Sequence, residues 1–283
     1  MTTLVDSKVI EQLAKWKQRA PNYIELHQNL LQLEVEHSYL PILDRHISEI
    51  SKRFAQANFI LQFEDLFPDW PVLERLFREA ISIIGRYFPS TVSTAPAMEK
   101  LITQPLRMKA AARDWYHYSL SSEIANELKV KQETVSFWFK AAFHPILVRY
   151  SEVLSPLVNQ NSWRKCICPV CGGKPDFAFL DKEAGARWLV CSRCDTEWLF
   201  FRLKCPFCGN QDQDTLVYFT DVRKLYRLYT CERCRSYIKA IDLRCAEDEI
   251  LFPLERILTL DLDRQAVETG YRQELVATEF VGS

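Results

Sequence analysis

The chain has 283 residues, of which 48% are hydrophobic and 26% are charged, and its formal net charge is −1. These values are typical of a soluble globular protein with one large domain or two, and nothing in them requires a nucleic-acid partner. Apolar runs are short and interrupted by charge, and the first residues lack a signal-peptide pattern. We therefore expect a cytoplasmic protein without direct membrane insertion.

Helical patterns fill the first half of the chain, which is interpreted as an α-helical domain over residues 1–158. The clearest helix follows Asp69 as a candidate N-cap and has apolar residues along one buried face: Leu73, Leu76, Phe77, Ala80, Ile81 and Ile84. Rougher patterns predict helices over residues 10–20, 23–33, 42–55, 98–115 and 134–150. Prolines near several of the ends, Pro145 among them, are expected to break or kink these helices.

Strand-like segments replace the helical pattern near residue 155, and they read ARWLV, TEWLFFRL, LVYF and LYRLYT. This part of the chain repeats, because CPVCGG…RWLVCSRCDTEW matches CPFCGN…YRLYTCERCRSY. We therefore predict two tandem four-cysteine modules of short β-strands, over residues 159–200 and 201–245. The remaining segment, residues 246–283, has nine acidic and three basic residues and is interpreted as a solvated tail or edge. The predicted fold class is α+β and multidomain.

Cysteines in four C-x-x-C pairs carry the chemistry of this chain. Two thiolates at this spacing on a tight turn can point at one metal ion, and two such turns complete a four-cysteine shell. In a reducing cytoplasm, cysteines of this kind favour metal binding over disulfides. The eight candidate metal ligands are Cys168, Cys171, Cys191, Cys194, Cys205, Cys208, Cys231 and Cys234.

Sequential pairing is the preferred assignment of these ligands, with the first four in one site and the last four in the other. A cross-braced arrangement is the alternative. A shell of four thiolates accepts zinc or rubredoxin-type iron equally well on geometry. Cys166 and Cys245 lie outside the pattern and are interpreted as spectator thiols.

A binding protein is expected here rather than an enzyme. Closed four-cysteine sites are normally structural, because they leave no open coordination position for a substrate. The sequence also contains no nucleophile elbow, no P-loop and no dinucleotide-binding glycine motif. No catalytic residue is therefore predicted.

Residues 121–142 suggest an alternative, because their apolar spacing is that of a helix-turn-helix. With two zinc ribbons downstream, this spacing would fit a DNA-binding transcriptional regulator. The second helix, however, presents Glu133 followed by three aromatic residues, and within this helix the first arginine is Arg149. Reading a DNA groove requires donors and positive charge, and packing in a helical core explains the same apolar positions.

Residues around the cysteines and near the carboxy terminus carry a resemblance to a known family. Glu197-Trp198 follows the second C-x-x-C pair, Arg202 precedes the third, and Tyr237 and Lys239 follow the fourth. The stretch ILTLDLDRQAVETGYRQ, residues 257–273, also looks like that family's ending. In these features the chain resembles the FdhE-type formate dehydrogenase accessory (maturation) proteins over its whole length.

The resemblance implies a non-catalytic, chaperone-like maturation factor in the cytoplasm that binds the catalytic subunit of formate dehydrogenase. It also implies two rubredoxin-like centres that can hold iron, with the eight cysteines named above as ligands. It leaves open whether the native metal is iron or zinc, whether that metal is redox-active, and what the oligomeric state is.

Overall fold

The computed structural model describes residues 21–33, 52–53, 58–66, 70–88, 95–247 and 250–273. Among these, residues 21–33 and 62–149 form one compact unit, and residues 52–61 together with those from 150 onward form a second. The fold class is α+β, as the sequence predicts. Within the described residues no helix combines the length and apolar character needed to cross a bilayer.

Helices make up the first unit, and α6 runs on into the second. The helices are α1 (Pro21–Leu31), α2 (Trp70–Tyr87), α3 (Ala95–Ile102), α4 (Pro105–Tyr116), α5 (Ser122–Leu128) and α6 (Gln132–Leu154). An aromatic cluster forms the centre of this unit: the rings of Phe77 and Phe139 meet edge to face, and Trp115 stacks on Phe139 and Phe143. The predicted stripe on α2 is buried in this core, apart from Ile81.

Two helical predictions need correction. The helix predicted over residues 98–115 is two helices, because Pro105 occupies the first turn of α4 and has no backbone N–H to continue α3. Of the break or kink predicted at Pro145, the break does not occur, since α6 continues through this residue. The prediction for residues 10–20 lies outside the described residues, as does the one for 42–55 apart from residues 52–53.

The helix-turn-helix spacing corresponds to α5 and α6, which are joined by a turn with Lys129 in the left-handed region. The apolar positions at the start of α6 are fully buried, including Val135, Trp138 and Phe139. These side chains belong to the helical core.

One six-stranded sheet forms the centre of the second unit. Its strands are β1 (Pro175–Leu180), β2 (Arg187–Cys191), β3 (Glu197–Phe200), β4 (Leu216–Thr220), β5 (Tyr226–Cys231) and β6 (Ser236–Asp242), in the spatial order β3-β2-β1-β6-β5-β4. All neighbours are antiparallel except β1 and β6, which pair in parallel from Phe177 opposite Lys239 to Leu180 opposite Asp242. This pairing joins the two cysteine-rich repeats into a single sheet.

The strands predicted from the sequence are confirmed as β2, β3, β4 and β5. The two central strands, β1 and β6, were not singled out by their sequence pattern. Every residue of both strands is buried. A strand covered on both faces lacks the apolar and polar alternation that marks a half-exposed strand.

The carboxy-terminal residues that the structure describes pack on the sheet, contrary to the expectation of a solvated tail. They form α7 (Phe252–Leu258) and α8 (Leu260–Glu268). Phe252 of α7 packs against Phe177 and Phe179 of β1, and Ala266 of α8 packs against Leu228 and Tyr237. Both helices therefore cover the same face of the sheet.

An ion pair between the buried Lys239 and the half-buried Asp263 attaches α8 to β6. The Asp263 carboxylate accepts hydrogen bonds from Lys239 Nζ at 2.6 Å and from the Tyr237 hydroxyl at 2.8 Å. Lys239 is 3% exposed, and it also donates to the backbone carbonyl of Arg256 at 3.0 Å. The residues that carry the resemblance after the fourth cysteine pair and in the carboxy-terminal stretch thus contact each other.

Candidate metal centres

The first cysteine group lies at one end of the β1–β2–β3 part of the sheet. Cys168 and Cys171 lie on a turn before β1, Cys191 ends β2, and Cys194 lies on the turn that leads to β3. The sulfur atoms of Cys168 and Cys194 are 3.6 Å apart, and those of Cys171 and Cys191 are 3.5 Å apart. None of the four residues is more than 1% exposed.

Tight turns place the four sulfur atoms of this group. The backbone N–H of Gly172 donates to the Cys168 carbonyl at 3.0 Å, and Gly172 has a φ of 68°, a conformation that glycine adopts without strain. The N–H of Arg193 points at the Cys191 sulfur at 3.4 Å. The Thr196 hydroxyl oxygen lies 3.0 Å from the Cys194 sulfur and 2.7 Å from the Ser151 hydroxyl.

The second cysteine group has the same arrangement of four sulfur atoms as the first, and it is more exposed to solvent. The sulfur atoms of Cys205 and Cys234 are 3.7 Å apart, as are those of Cys208 and Cys231. Cys208 and Cys234 are only half-buried. Asn210 takes the position that Gly173 has in the first group, and its amide donates to the Cys231 sulfur at 3.6 Å.

Both groups fit a tetrahedral metal ion. In each group the four sulfur atoms all lie within 4.8 Å of one another. Four sulfur atoms at about 2.3 Å from a central ion are about 3.8 Å apart, and the closest sulfur pairs in the structure lie at 3.5–3.7 Å. The two groups are therefore able to bind metal ions, and they follow the sequential pairing and not the cross-braced one.

The electrostatics of the groups favour a bound cation. Burial raises the pKa of the Cys168 thiol and that of the Cys194 thiol well above the ordinary value for cysteine. Burial also opposes ionisation of Cys191, but hydrogen bonds from the other three thiols and from the Arg193 N–H bring its pKa well below that value. In the second group, a hydrogen bond from Cys205 lowers the pKa of Cys234 to about 5. Each shell thus stabilises one cysteine as a thiolate, and a bound divalent ion would stabilise the ionised form of all four while offsetting only two of their four negative charges.

The chain segment at residues 58–61 contacts the first group, which the sequence did not suggest. The backbone N–H groups of Ile60 and Leu61 donate to the carbonyls of Pro169 and Val170, at 2.9 and 2.8 Å. A Cβ added to Gly172 would lie 2.9 Å from the Phe59 ring. These contacts hold the turn between Cys168 and Cys171 from outside, and they are made largely by backbone atoms, so no residue pattern predicts them.

Arg256 of α7 holds the other turn of the first group. Its guanidinium donates to Asp176 at 2.8 and 3.0 Å, to Asp195 at 2.7 Å and to the Cys191 carbonyl at 2.8 Å. Asp195 has a φ of 56° and lies directly after Cys194. Arg256 therefore fixes the conformation of the turn that carries Cys191 and Cys194.

The end of the described carboxy-terminal segment contacts the second group. The Arg235 guanidinium lies 4.0 Å from the centre of the Tyr271 ring and donates to the Thr269 carbonyl at 3.0 Å. The Arg272 N–H donates to the Arg235 carbonyl at 2.9 Å. Because Arg235 directly follows Cys234, the carboxy-terminal segment supports a turn of each cysteine group.

Gly173 provides a local test of the first group. A Cβ at this position would lie 2.8 Å from the Cys191 sulfur and 3.2 Å from the Cys171 sulfur. We expect Gly173→Ala to displace these sulfur atoms and to destabilise the site by about 1–3 kcal/mol, as overpacking does. The measurement is metal release to a chelator, with Lys182→Ala on the exposed turn between β1 and β2 as control. Release from the Gly173→Ala variant at the wild-type rate would contradict this expectation.

Comparisons with known proteins agree with the predicted resemblance. Residues 167–202, which contain the first cysteine group, match the family model described as "FdhE, central domain". A protein from Aquifex aeolicus (strain VF5), named "Protein FdhE homolog", is 40% identical over 147 residues, half of each chain. A protein of the same name from Haemophilus influenzae (strain PittGG) is 24% identical over 207 residues, which cover 59% of this chain and 68% of that one.

The resemblance to the FdhE family is confirmed.

A solved structure extends the likeness to the fold. The crystal structure of the FdhE protein from Pseudomonas aeruginosa superposes on this chain with a TM-score of 0.61 at 20% sequence identity. The superposition covers 95% of this chain and 92% of the Pseudomonas chain. Among the curated relatives, the aligned region spans half of the Aquifex protein and 25% of the "Protein FdhE homolog" from Shewanella oneidensis (strain ATCC 700550 / JCM 31522 / CIP 106686 / LMG 19005 / NCIMB 14063 / MR-1). The region of this chain that matches the family model ends at residue 202, before the first cysteine of the second group.

Proposed function

We propose that this protein is a non-catalytic accessory factor for the maturation of formate dehydrogenase. In this proposal it binds the catalytic subunit in the cytoplasm, as a chaperone does, and carries two metal ions in four-cysteine sites. The observation that supports the proposal is the pair of four-sulfur groups, each able to hold a metal ion, in a chain that resembles FdhE proteins.

The two sites would hold their metals with the eight predicted cysteines and no other side chain. A shell of four thiolates is complete, so it offers no coordination position to a substrate. Bound iron would supply a one-electron redox couple, whereas bound zinc would supply only folding energy. In either case the protein would act through its surface, by holding the immature subunit until its cofactors are in place.

The native metal is tested first by elemental analysis and visible absorption of protein purified without oxygen. Iron near two per chain, with thiolate-to-iron charge-transfer bands after oxidation, would support rubredoxin-like centres. Colourless protein with two zinc ions would support structural sites. Protein without bound metal would contradict this part of the proposal.

The function is tested in cells that depend on formate dehydrogenase. We expect tagged wild-type protein to recover the catalytic subunit, and Cys205→Ser to reduce both this recovery and formate dehydrogenase activity. Cys245→Ser is the matched control, because this cysteine is exposed and lies outside both groups. The proposal is wrong if wild-type protein recovers no subunit and deletion of its gene leaves formate dehydrogenase activity unchanged.

A further inference from the structure

The outer edge of the sheet at β4 has the features of a docking site for an extended chain. β4 is the last strand of the sheet, and no strand among the described residues pairs with its outer side. An open strand edge offers a row of backbone donors and acceptors that another chain can pair with. Most edges in natural proteins are covered or made unattractive, so an open one needs an explanation.

The backbone pattern shows which groups of β4 are free. Asp221 N–H donates to the Tyr226 carbonyl at 3.2 Å, and Glu232 N–H donates to the Thr215 carbonyl at 2.9 Å. Hydrogen-bonded positions alternate along an antiparallel pair, so the odd-numbered residues of β4 bond to β5. The even-numbered residues, Leu216, Tyr218 and Thr220, therefore point their backbone N–H and C=O groups away from the sheet.

The opposite edge of the same sheet is protected, which makes the open edge at β4 more informative. The Gln160 side chain lies along β3 and imitates a neighbouring strand there. Its amide nitrogen donates to the Glu197 carbonyl at 3.3 Å, and its amide oxygen accepts from the Leu199 N–H at 3.1 Å. No described residue makes such contacts with the outward-facing backbone of β4.

Side chains around β4 are apolar and exposed on both faces of the strand. Tyr218 is 52% exposed and Phe219 is 55% exposed, and they point to opposite faces. On the face of Tyr218 lies a mostly apolar pocket of about 60 Å³, lined among others by Leu203, Phe207 and Tyr229. Its volume has room for a short aliphatic side chain. Strand addition uses such an arrangement, with affinity from the main chain and specificity from pockets for alternate side chains.

Acidic residues lie near the start of β4, namely Asp212, Asp214 and Glu232, whereas basic residues lie at the pocket and on the turn that follows the strand. Arg202 and Lys204 line the pocket, and Arg223 and Lys224 lie on the turn between β4 and β5. Asp221 on that turn is engaged by its own neighbours, because it accepts a hydrogen bond from the Tyr226 N–H. An acidic side chain on an incoming segment would be attracted to these basic side chains at the pocket or at the turn.

We propose that β4 receives an extended, apolar segment with at least one acidic side chain from the immature catalytic subunit, which adds as a seventh strand. This inference rests on the proposed function and specifies how the partner docks. Cys231 ends β5, opposite Leu216 of β4, so the second cysteine group holds the docking edge in shape.

The test compares wild-type protein with Thr220→Pro in binding to purified, cofactor-free catalytic subunit. The proline removes an N–H that points outward, so pairing with β5 is retained while strand addition is blocked. We expect binding at least tenfold weaker for Thr220→Pro and unchanged for Val222→Pro, which places the same residue on the exposed turn. In wild-type protein, amide hydrogen exchange at Leu216, Tyr218 and Thr220 should slow at least tenfold when the subunit binds.

The possible outcomes distinguish failure of docking at β4 from failure of the proposed function. Binding of the subunit without slower exchange at β4, or equal weakening by Val222→Pro, would overturn the docking proposal alone. Amides that are already protected in the free protein would also overturn it. If this protection of the β4 amides in the free protein persists on dilution, a segment of the same chain covers the edge. If the protection is lost on dilution, a second copy of this chain covers it. Absence of any binding by wild-type protein would overturn the proposed function together with this inference.

Discussion

Cys191→Ser is expected to remove the metal from the first site and to unfold the sheet around it. Cys191 is fully buried, ends β2, and offers its carbonyl to Arg256. Loss of one ligand leaves three buried sulfur atoms without a complete shell. A structural zinc site contributes on the order of 10 kcal/mol of folding energy, so we expect most of the stability of the second unit to be lost.

The second site should respond differently to the same kind of change. Cys234 is only half-buried, and water can reach its position. Cys234→Ser should therefore lower the metal content from two ions to one while the rest of the sheet stays folded. Elemental analysis and thermal unfolding followed by circular dichroism distinguish these results, with Cys245→Ser as control. Equal unfolding temperatures for Cys191→Ser and wild-type protein would contradict the central role of the first site.

Arg256→Met should destabilise the second unit by about 3–5 kcal/mol, the loss expected when one partner of a buried ion pair is removed. The side chain of Asp176 is 8% exposed, so its charge would remain buried without the guanidinium that compensates it. The turn after Cys194 would lose its contact through Asp195, and the Cys191 carbonyl would lose a donor. Denaturant unfolding measures the free energy, and chelator competition should show faster metal release from the first site.

Arg264→Met is the matched control for this experiment. Arg264 pairs with Asp261 on the surface of α8, and the two side chains are 67% and 78% exposed. Exposed pairs of this kind contribute about 0–1 kcal/mol. If Arg256→Met and Arg264→Met reduced stability by the same small amount, the buried network would not support the first site.

Much of the candidate site is encoded in short stretches of sequence. A C-x-x-C pair forms its turn locally, so each pair could be recognised without knowledge of the fold. The repeat of the two modules then favoured sequential pairing, and the structure places the sulfur atoms accordingly. The helical prediction for residues 98–115 failed because the apolar spacing continues across Pro105, although the backbone cannot.

The contacts that support the site depend on residues far apart in the chain. Ile60 bonds to Pro169, and Arg256 bonds to Asp176, 80 residues away. Local periodicity carries no information about such pairs, and an arginine in an acidic segment looks like an ordinary surface residue. The resemblance identified the carboxy-terminal stretch as a family feature, and only the structure shows that it holds both cysteine groups.

Short-range patterns along the chain are enough to predict the two four-cysteine groups, the change from helices to short strands, and the resemblance to FdhE proteins. These properties follow from local spacing, which sets turn geometry and buried faces. The folded chain alone shows that β1 and β6 join the two repeats in one sheet, that α7 and α8 cover one face, and that no described strand pairs with the outer side of β4. Strand order depends on which edges meet after distant segments are brought together, and this is settled by packing over the whole unit.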